Sequence, residues 1–470
     1  MTPNFSELVV TAAEDAVPIV PVTAETHRRW EETAEPASAT FARTMQFTAR
    51  AGTSILIPDA GGRPREVLAG LGTDRAPADA GSVAGLSASL PPGRYRFAGE
   101  VPGLDPARRA IAWAQGQYRF SRYRSQPDAR PGACLVEPAL GETGLARVRA
   151  VVEAMTLVRT LVDTPANDMG PEELEAAARD LAQSHGAAFG SIVGEALLSE
   201  RLPLVHWVGR ASSRPPRLLD LRWGAADAPR LTLVGKGVCF DSGGLNLKPG
   251  SSMANMKKDM GGAAHVLGLA HVIMALKLPV RLRVLVPAVE NAVSGSAFRP
   301  GDILPSRKGL SVEIGNTDAE GRLILADALA LADEESPDLL IDMATLTGAA
   351  RQALGPDLPP FYTMDEALAA ALAEAARREQ DPLWRLPLHA PYQAWLDGKL
   401  GDVNHIGDTP MAGSIVAALF LQRFVEAARA FVHFDIYAWN DKARPGRPGG
   451  AAVQGLLALL AIVEARYKRG

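Results

Sequence analysis

The sequence predicts an α/β protein with a smaller N-terminal α/β domain at residues 1–150 and a C-terminal domain at residues 151–470. We expect the C-terminal domain to hold a mostly parallel central sheet covered by helices on both faces. The chain has 470 residues, 47% of them hydrophobic, which is enough for two cores. A proline and turn formers at residues 163–168 interrupt a long amphipathic pattern. Beyond them, short apolar runs alternate with helical patterns, as in βα units.

The N-terminal part carries few strong patterns. They predict a strand at 53–58, a short strand around 95–97, a helix at 107–117 and a long amphipathic helix at 145–162. We place the domain boundary along the long helix. No group of catalytic residue types is recognisable before it.

The C-terminal part alternates between strand and helix patterns. Helices are predicted at 171–184, 259–276, 323–333, 412–428 and 451–465, and strands at 204–208, 217–222, 231–234, 280–286, 339–344 and 430–436. This alternation predicts a parallel sheet covered by helices. Functional side chains of such sheets lie in loops beyond the carboxyl ends of the strands, so we expect the active site there.

Composition narrows the classes of function. The formal net charge of −4 argues against a nucleic-acid partner, which needs a basic surface. The two cysteines cannot make a disulfide framework, and the first residues lack the pattern of a signal peptide. No apolar run approaches the roughly 20 residues that span a bilayer. We therefore predict a cytoplasmic enzyme, without membrane association, that acts on small molecules or peptides.

The octapeptide NTDAEGRL at residues 316–323 is the most informative segment, because it is too polar for a core. In an extended segment, Asp318 and Glu320 would point the same way and could hold hard divalent cations between them, with Arg322 next in the row. This chemistry indicates a metal-dependent hydrolase.

A glycine-rich loop after the predicted strand at 231–234 carries Lys236 and Asp241. It fits neither the phosphate-binding loop of nucleotide hydrolases nor the dinucleotide-binding fingerprint. Lys236 is the first of only nine lysines in the chain. A lysine amine, unlike a guanidinium, can lose its proton and bind a metal.

Asp259 precedes two glycines, Gly261 and Gly262, at the start of a predicted helix. Taken alone, this aspartate would be a helix N-cap. Each glycine costs roughly 1 kcal/mol in a helix relative to alanine. A metal site packed against this first turn would explain why they are present.

Five segments, taken in order, resemble the catalytic domain of the leucyl aminopeptidases (cytosol aminopeptidases): residues 235–237, 241–244, 257–264, 316–323 and 344–349. The resemblance covers residues 155–470. It implies a metal-dependent aminopeptidase in which a metal-activated water removes the N-terminal residue of short peptides. It also implies a homohexamer.

The resemblance further implies a two-metal site. One ion would be held by Lys236, Asp241, Asp259 and Glu320, and the other by Asp241, Glu320 and Asp318, the last also through its main-chain carbonyl. Zn or Mn would suit these ligands, with Mg or Co as alternatives. Because Lys236 must be neutral to bind a metal, two adjacent cations would have to lower its pKa from about 10.4.

Two further residues acquire catalytic roles from the resemblance. A protonated Lys248 would stabilise the developing oxyanion, and Arg322 would hold a bicarbonate that serves as general base. A salt bridge to a neighbouring acid is the structural alternative for Arg322. The histidines offer no rival metal site, since His265 and His271 lie on different faces of one predicted helix and suggest packing.

The pocket for the N-terminal side chain maps onto Met256, Thr345 and Gly348, which fit the family. The wall after residues 433–436 departs from it, because Tyr437 stands where alanine is usual and Asn440 is polar. We expect a preference shifted away from large leucine-like side chains. Two alternatives remain open: a dipeptidase, for example one acting on Cys-Gly, and an aminopeptidase that also binds DNA as a regulator.

Overall fold

A computed structural model describes residues 5–73, 79–125, 132–444 and 447–467. The chain divides into two compact units. The first unit comprises Met1–Thr156 and Asn440–Gly449, and the second comprises Leu157–Trp439 and Gly450–Gly470. The boundary predicted at residues 150 and 151 therefore falls a few residues before the division along the same helix.

The first unit contains a mostly parallel sheet and several helices. The strands are β1 (Val9–Val10), β2 (Val17–Thr23), β3 (Ser54–Pro58), β4 (Pro64–Gly72), β5 (Gly93–Phe97) and β6 (Ala133–Val136). The helices are α1 (Phe5–Leu8), α2 (Ala24–Thr33), α3 (Pro36–Thr44), α4 (Ala80–Ser89) and α5 (Pro106–Gly116), and α6 (Gly141–Asp163) begins here and continues into the second unit.

The order of strands in this sheet is β1-β6-β5-β2-β4-β3. Only β3, at one edge, runs antiparallel to its neighbour. Apolar side chains of β2, β3 and β4 pack with helix α3 into a core that includes Val22, Ala42, Ile57 and Leu68. The predicted strand at 53–58 and helix at 107–117 correspond closely to β3 and α5.

The second unit contains strands of very different lengths. They are β7 (Ala188–Val193), β8 (Arg217–Trp223), β9 (Arg230–Gly235), β10 (Gly237–Asp241), β11 (Arg281–Asn291), β12 (Ile303–Pro305), β13 (Ser311–Glu313), β14 (Leu339–Ala344), β15 (Pro360–Tyr362), β16 (Trp384–Arg385), β17 (Val403–Asn404), β18 (Phe431–Asp435), β19 (Trp439–Asn440, at the division) and β20 (Gly450–Ala451).

Its helices are α7 (Pro171–Ser184), α8 (Ala196–Ser199), α9 (Pro203–Gly209), α10 (Gly250–Met253), α11 (Gly261–Ala275), α12 (Glu320–Asp333), α13 (Gly348–Leu354), α14 (Glu366–Arg378), α15 (Gly413–Gln422) and α16 (Leu456–Tyr467). Short 3₁₀ helices occur at Ala166–Asp168, Met256–Met260, Thr317–Ala319 and Ala390–Leu396.

The main sheet has the order β16-β15-β18-β14-β9-β11-β8-β7, and β10 also pairs with β11. Its four central strands, β18, β14, β9 and β11, are parallel, whereas β8 runs antiparallel to β11. All six residues of β14 are buried, as expected for a strand covered on both faces. The predicted α/β class and mostly parallel sheets are confirmed.

The prediction of a strand at 204–208 is wrong, because these residues belong to helix α9. A run of apolar residues this short fits a buried helix as well as a buried strand. Pro203 occupies the first helical position, where its missing N–H costs nothing, and Leu204, Val205 and Val208 are fully buried.

Among the described residues, no helix combines the length and the hydropathy that crossing a membrane would require.

Candidate active site

Loops beyond the carboxyl ends of β9 and β10 bring the candidate metal ligands together. Lys236 follows β9 directly, and Asp241 is the last residue of β10. Asp259 lies in the 3₁₀ helix Met256–Met260. Asp318 lies in the 3₁₀ helix Thr317–Ala319, and Glu320 is the first residue of α12. The expectation of an extended octapeptide is therefore wrong, although its two acids still face one site.

Two lysines connect the carboxylates. Nζ of Lys236 lies 2.6 Å from Oδ2 of Asp259 and 3.0 Å from Oε1 of Glu320, and it donates to the Thr345 carbonyl at 3.0 Å. Nζ of Lys248 lies 2.8 Å from Oδ2 of Asp241. The ammonium groups of Lys236 and Lys248 thus partly neutralise the carboxylates.

Lys248 also contacts the fourth acid, with Nζ 2.5 Å from Oδ1 of Asp318. Burial opposes the charge on Lys248, but the charges of Asp241 and Glu320 outweigh it and raise its pKa above the ordinary value. Lys248 is therefore protonated, as its expected role requires.

The acids fit a metal site. Asp241, Asp259 and Glu320 are buried, and each offers a carboxylate oxygen within 4.8 Å of the others. Glu320 is 1% exposed, and neither of its oxygens accepts a hydrogen bond, although Oε1 forms the ion pair with Lys236. Burial, and then the charge of Asp241, raise the pKa of Glu320 to about 8. Such a carboxylate gains most from a bound cation.

The same two causes act on Asp318, whose pKa rises to about 6. The pKa of Lys236 is raised as well, since Asp259 and Glu320 overcome the effect of burial. The protein groups alone therefore keep Lys236 protonated. It can bind a metal only if cations displace its proton, as expected from the sequence.

Glycines in this region make room for neighbouring groups. A Cβ on Gly321 would lie 2.4 Å from Cε of Lys236, so this glycine serves close approach and not a turn. A Cβ on Gly262 would lie 2.0 Å from the carbonyl oxygen of Met343 in β14. The expectation that a metal explains this glycine is wrong, because packing of α11 against β14 explains it. Asp259 is not the N-cap of α11; that residue is Met260.

Several polar residues that the sequence did not reveal hold the ligand loops. Nδ2 of Asn291 donates to Oδ1 of Asp241 at 2.9 Å and to the Thr317 carbonyl at 3.0 Å. His405 is buried with Nε2 2.9 Å from the Asn316 carbonyl. Such residues carry no local motif, because their partners are groups distant in the sequence.

Arg322 lies in the first turn of α12 and borders the same pocket. Its Nη1 donates to the His405 carbonyl at 2.7 Å, and its Nε has no hydrogen-bond partner. Burial lowers the pKa of Arg322 to about 10, so it remains charged. Within the described part of the chain it makes no salt bridge, which removes the structural alternative.

A pocket with an empty volume of about 460 Å³, partly open to solvent, adjoins these groups. Lys236, Asp241, Lys248, Asp259, Asp318, Glu320 and Arg322 line it, as do Met256, Thr345 and Gly348. Tyr437 and Asn440 are not among its lining residues. Asn440 belongs to the first unit, where its amide donates to the Pro448 carbonyl at 3.2 Å.

Lys258 and Arg351 also line the pocket, which the sequence did not reveal. Both contact the Tyr437 ring, with Nζ of Lys258 5.0 Å and Cζ of Arg351 4.3 Å from its centre. Burial lowers the pKa of Lys258 to about 8. Tyr437 thus faces the two cations instead of filling the pocket.

Two models of known protein families match the chain. Residues 156–459 match the model of the cytosol aminopeptidase family, catalytic domain. Residues 17–138 match the N-terminal domain of M17 aminopeptidases. The two matches fall on either side of the residues where α6 begins.

Curated relatives and solved structures give the same result. A probable cytosol aminopeptidase of Syntrophotalea carbinolica is 39% identical over 447 residues, or 89% of each chain. The crystal structure of cytosol aminopeptidase from Coxiella burnetii superposes with a TM-score of 0.92 at 43% identity, covering 98% of this chain and 99% of that one. The bottromycin maturation enzyme BotP, in complex with Mn, has a TM-score of 0.85 at 33% identity, covering 97% and 100%. This chain belongs to the cytosol aminopeptidase family and is a metal-dependent aminopeptidase.

Proposed function

We propose that this aminopeptidase releases the N-terminal residue of short peptides at a site that holds two divalent cations between its buried acids. The observation that carries the proposal is Glu320, a buried carboxylate that accepts no hydrogen bond and whose one ion pair is with Lys236, close to the other buried acids. When bound, two such ions polarise a scissile carbonyl and lower the pKa of water, which supplies the nucleophile.

Each ion is assigned a set of ligands. One set is Lys236, Asp241, Asp259 and Glu320, and the other is Asp241, Asp318 with its carbonyl, and Glu320. The three buried acids that lie within 4.8 Å of one another all belong to the first set. Asp241 and Glu320 belong to both sets, and their negative charge would reduce the repulsion between two dications.

Lys248 is the proposed electrophile. Its ammonium group is held between Asp241 and Asp318, from where it can donate to an oxyanion that develops on the scissile carbonyl.

Arg322 is the proposed holder of a bicarbonate that accepts the proton of the attacking water. Its unpartnered Nε and its position at the pocket support this role. Rates measured with and without added bicarbonate test it: wild type should be stimulated, whereas Arg322→Met should not respond. Equal stimulation of both proteins would contradict the role.

Zn or Mn is the proposed occupant, with Mg or Co as the alternatives; the Mn complex of BotP supports Mn. Metal-stripped protein, re-supplied with each ion in turn, should recover hydrolysis of an amino-acid anilide. Glu320→Ala should lose nearly all of that activity. The control is Glu172→Ala, which alters an exposed glutamate in α7. Full activity of Glu320→Ala would overturn the mechanism.

The N-terminal side chain of the substrate is proposed to enter between Met256, Thr345 and Gly348, which border the acids. Tyr437 would shift the preference away from leucine by positioning Lys258 and Arg351, while Asn440 remains a predicted contributor. A panel of aminoacyl anilides tests this preference. A clear optimum at leucine would contradict it.

A homohexamer in the cytoplasm is the proposed form of the enzyme. The name of the relatives, cytosol aminopeptidase, supports the location. A mass of six chains in analytical ultracentrifugation is the expected result, and a monomeric mass would contradict it. The same curated names favour an aminopeptidase over the dipeptidase and DNA-regulator alternatives.

A further inference from the structure

Two positive charges on the wall of the pocket have no role in the reaction described above. Lys258 lies beside Asp259 in the same 3₁₀ helix and is only 2% exposed. Arg351 lies in the last turn of the short helix α13, three residues after Gly348. A Cβ on Gly348 would lie 3.7 Å from Nη2 of Arg351, so the guanidinium borders the proposed side-chain pocket directly.

Neither cation is neutralised by the protein. Within the described ranges, the side chains of Lys258 and Arg351 make no ion pair and no hydrogen bond. The carboxylates that act electrostatically on Lys258 are Asp259 and Asp435. Asp259 already forms an ion pair with Lys236 and accepts a hydrogen bond from the Thr345 hydroxyl at 2.8 Å.

The carboxylate of Asp435 also has hydrogen-bond donors of its own. It accepts hydrogen bonds from the backbone N–H of Leu346 at 3.0 Å, and from the backbone N–H and hydroxyl of Thr347 at 3.1 and 2.6 Å. What Lys258 and Arg351 contact instead is the Tyr437 ring, which holds cations in place without neutralising them.

A buried ammonium group without a partner is costly, and it favours an anion that can reach it. The guanidinium next to it offers paired donors that suit a planar carboxylate. The other walls of this part of the pocket, Met256, Thr345 and Gly348, carry no charge. An acidic side chain entering from the substrate would therefore meet two cations, while the nearby carboxylate of Asp259 is already bound by Lys236 and Thr345.

We propose that Lys258 and Arg351 bind the side-chain carboxylate of an acidic N-terminal residue, so that the enzyme prefers peptides beginning with glutamate or aspartate. This inference rests on the proposed function, since it names the substrate class of that same site. Tyr437 is a positioning residue here, because it acts through the two cations.

The test compares glutamyl and glutaminyl anilides, which have nearly the same shape and differ in charge. With Mn-loaded wild type, kcat/KM for the glutamyl substrate should exceed that for the glutaminyl substrate by about tenfold or more, because the site is built for a charged partner. Arg351→Met and Lys258→Met should each bring this ratio close to one. Arg351→Lys should retain part of it.

A second measurement does not depend on turnover. Calorimetry of the Mn-loaded enzyme should show that L-glutamate binds about tenfold more tightly than L-glutamine, and Arg351→Met should remove the difference. Gln352→Met is the matched control, since it alters the next residue of α13 at an exposed position. It should leave both ratios unchanged.

Outcomes that contradict this inference differ from those that contradict the proposed function. Hydrolysis of leucyl or alanyl anilides with a glutamyl-to-glutaminyl ratio near one in wild type would overturn the inference alone. So would a loss confined to dipeptide substrates in Arg351→Met, which would mean that the guanidinium binds the peptide's C-terminal carboxylate. Hydrolysis of no anilide and no peptide, with any ion, would overturn the proposed function itself.

Discussion

Gly321 shows how one missing methyl group shapes the site. It lies between Glu320 and Arg322 in the first turn of α12, with an ordinary helical backbone. The side chain of Lys236, which is 3% exposed, runs past it. The space that a Cβ would occupy is already filled by Cδ, Cε and Nζ of Lys236.

Gly321→Ala should displace Lys236 and reduce kcat/KM by about tenfold or more, because Lys236 is held by Asp259 and Glu320 and has no free space to enter. Assays with saturating metal measure this. Gly190→Ala is the control, since a Cβ there meets no atom within 4 Å. If Gly321→Ala keeps wild-type kcat/KM, Lys236 is not required in its present position.

At the scale of single residues, the sequence predicted which metal ligands lie together, but not which residues hold the loops that carry them. The expected ligands come together because they end or follow parallel strands, lie in 3₁₀ helices or begin a helix at one edge of the sheet; they are Lys236, Asp241, Asp259, Asp318 and Glu320. Asn291 and His405 were not predicted, because their hydrogen-bond partners are groups distant in the sequence. Lys258 and Arg351 were missed for another reason: only the fold brings them to the same aromatic ring.

Helix α11 is held at its first turn by hydrogen bonds of His265. His265 is fully buried, with Nδ1 2.6 Å from the Gly261 carbonyl, while Nε2 accepts the backbone N–H of Gln454 at 3.0 Å. Since Nε2 accepts, the proton of the neutral ring is on Nδ1 and donates to Gly261. The structural role expected for His265 is consistent with these contacts.

Acid should weaken the second unit through His265. Burial lowers the pKa of His265 from 6.5 to about 4. Below pH 6.5 the unfolded chain takes up a proton that the folded chain does not, so the free energy of unfolding falls as the pH drops from 6.5 to 4. This group contributes at most about 3 kcal/mol to that fall.

Thermal unfolding from about pH 7 to about pH 4.5 measures the effect. His265→Gln should be less stable than wild type at neutral pH, and the difference in Tm should narrow as the pH falls. The control is His389→Gln, which alters an exposed histidine and should show a constant difference. A constant difference for His265→Gln would mean that His265 does not resist protonation.

The limits of sequence patterns are also visible in the elements. Helix α7 and strand β14 occur with the predicted bounds, because each has a clear period or a continuous apolar run between turn formers. Helix α9 was predicted as a strand, since five consecutive apolar or amphipathic positions do not distinguish the two. Helix α16 begins five residues later than predicted, after Gly455, whose φ of +76° favours glycine.

For the molecule as a whole, the acid cluster is a cost to folding that bound cations would offset. Asp241, Asp259 and Glu320 are buried side by side, and their mutual repulsion contributes to the raised pKa of Glu320. Two lysines balance only part of this charge. The stability of the chain should therefore depend on divalent ions more than that of a protein with a surface metal site.

Adding Mn²⁺ to metal-stripped protein should raise Tm by several degrees, because an ion at about 100 times its Kd stabilises the folded state by about 2.7 kcal/mol. Glu320→Gln should lose most of this rise. Without ions, however, Glu320→Gln should be at least as stable as wild type, since the amide has the same size and carries no charge.

Scanning calorimetry of both proteins, with and without Mn²⁺, measures these differences in Tm. Glu172→Gln is the control and should behave like wild type throughout. If Glu320→Gln unfolds well below wild type in the absence of ions, Glu320 is held by the protein for its own stability and not for a metal.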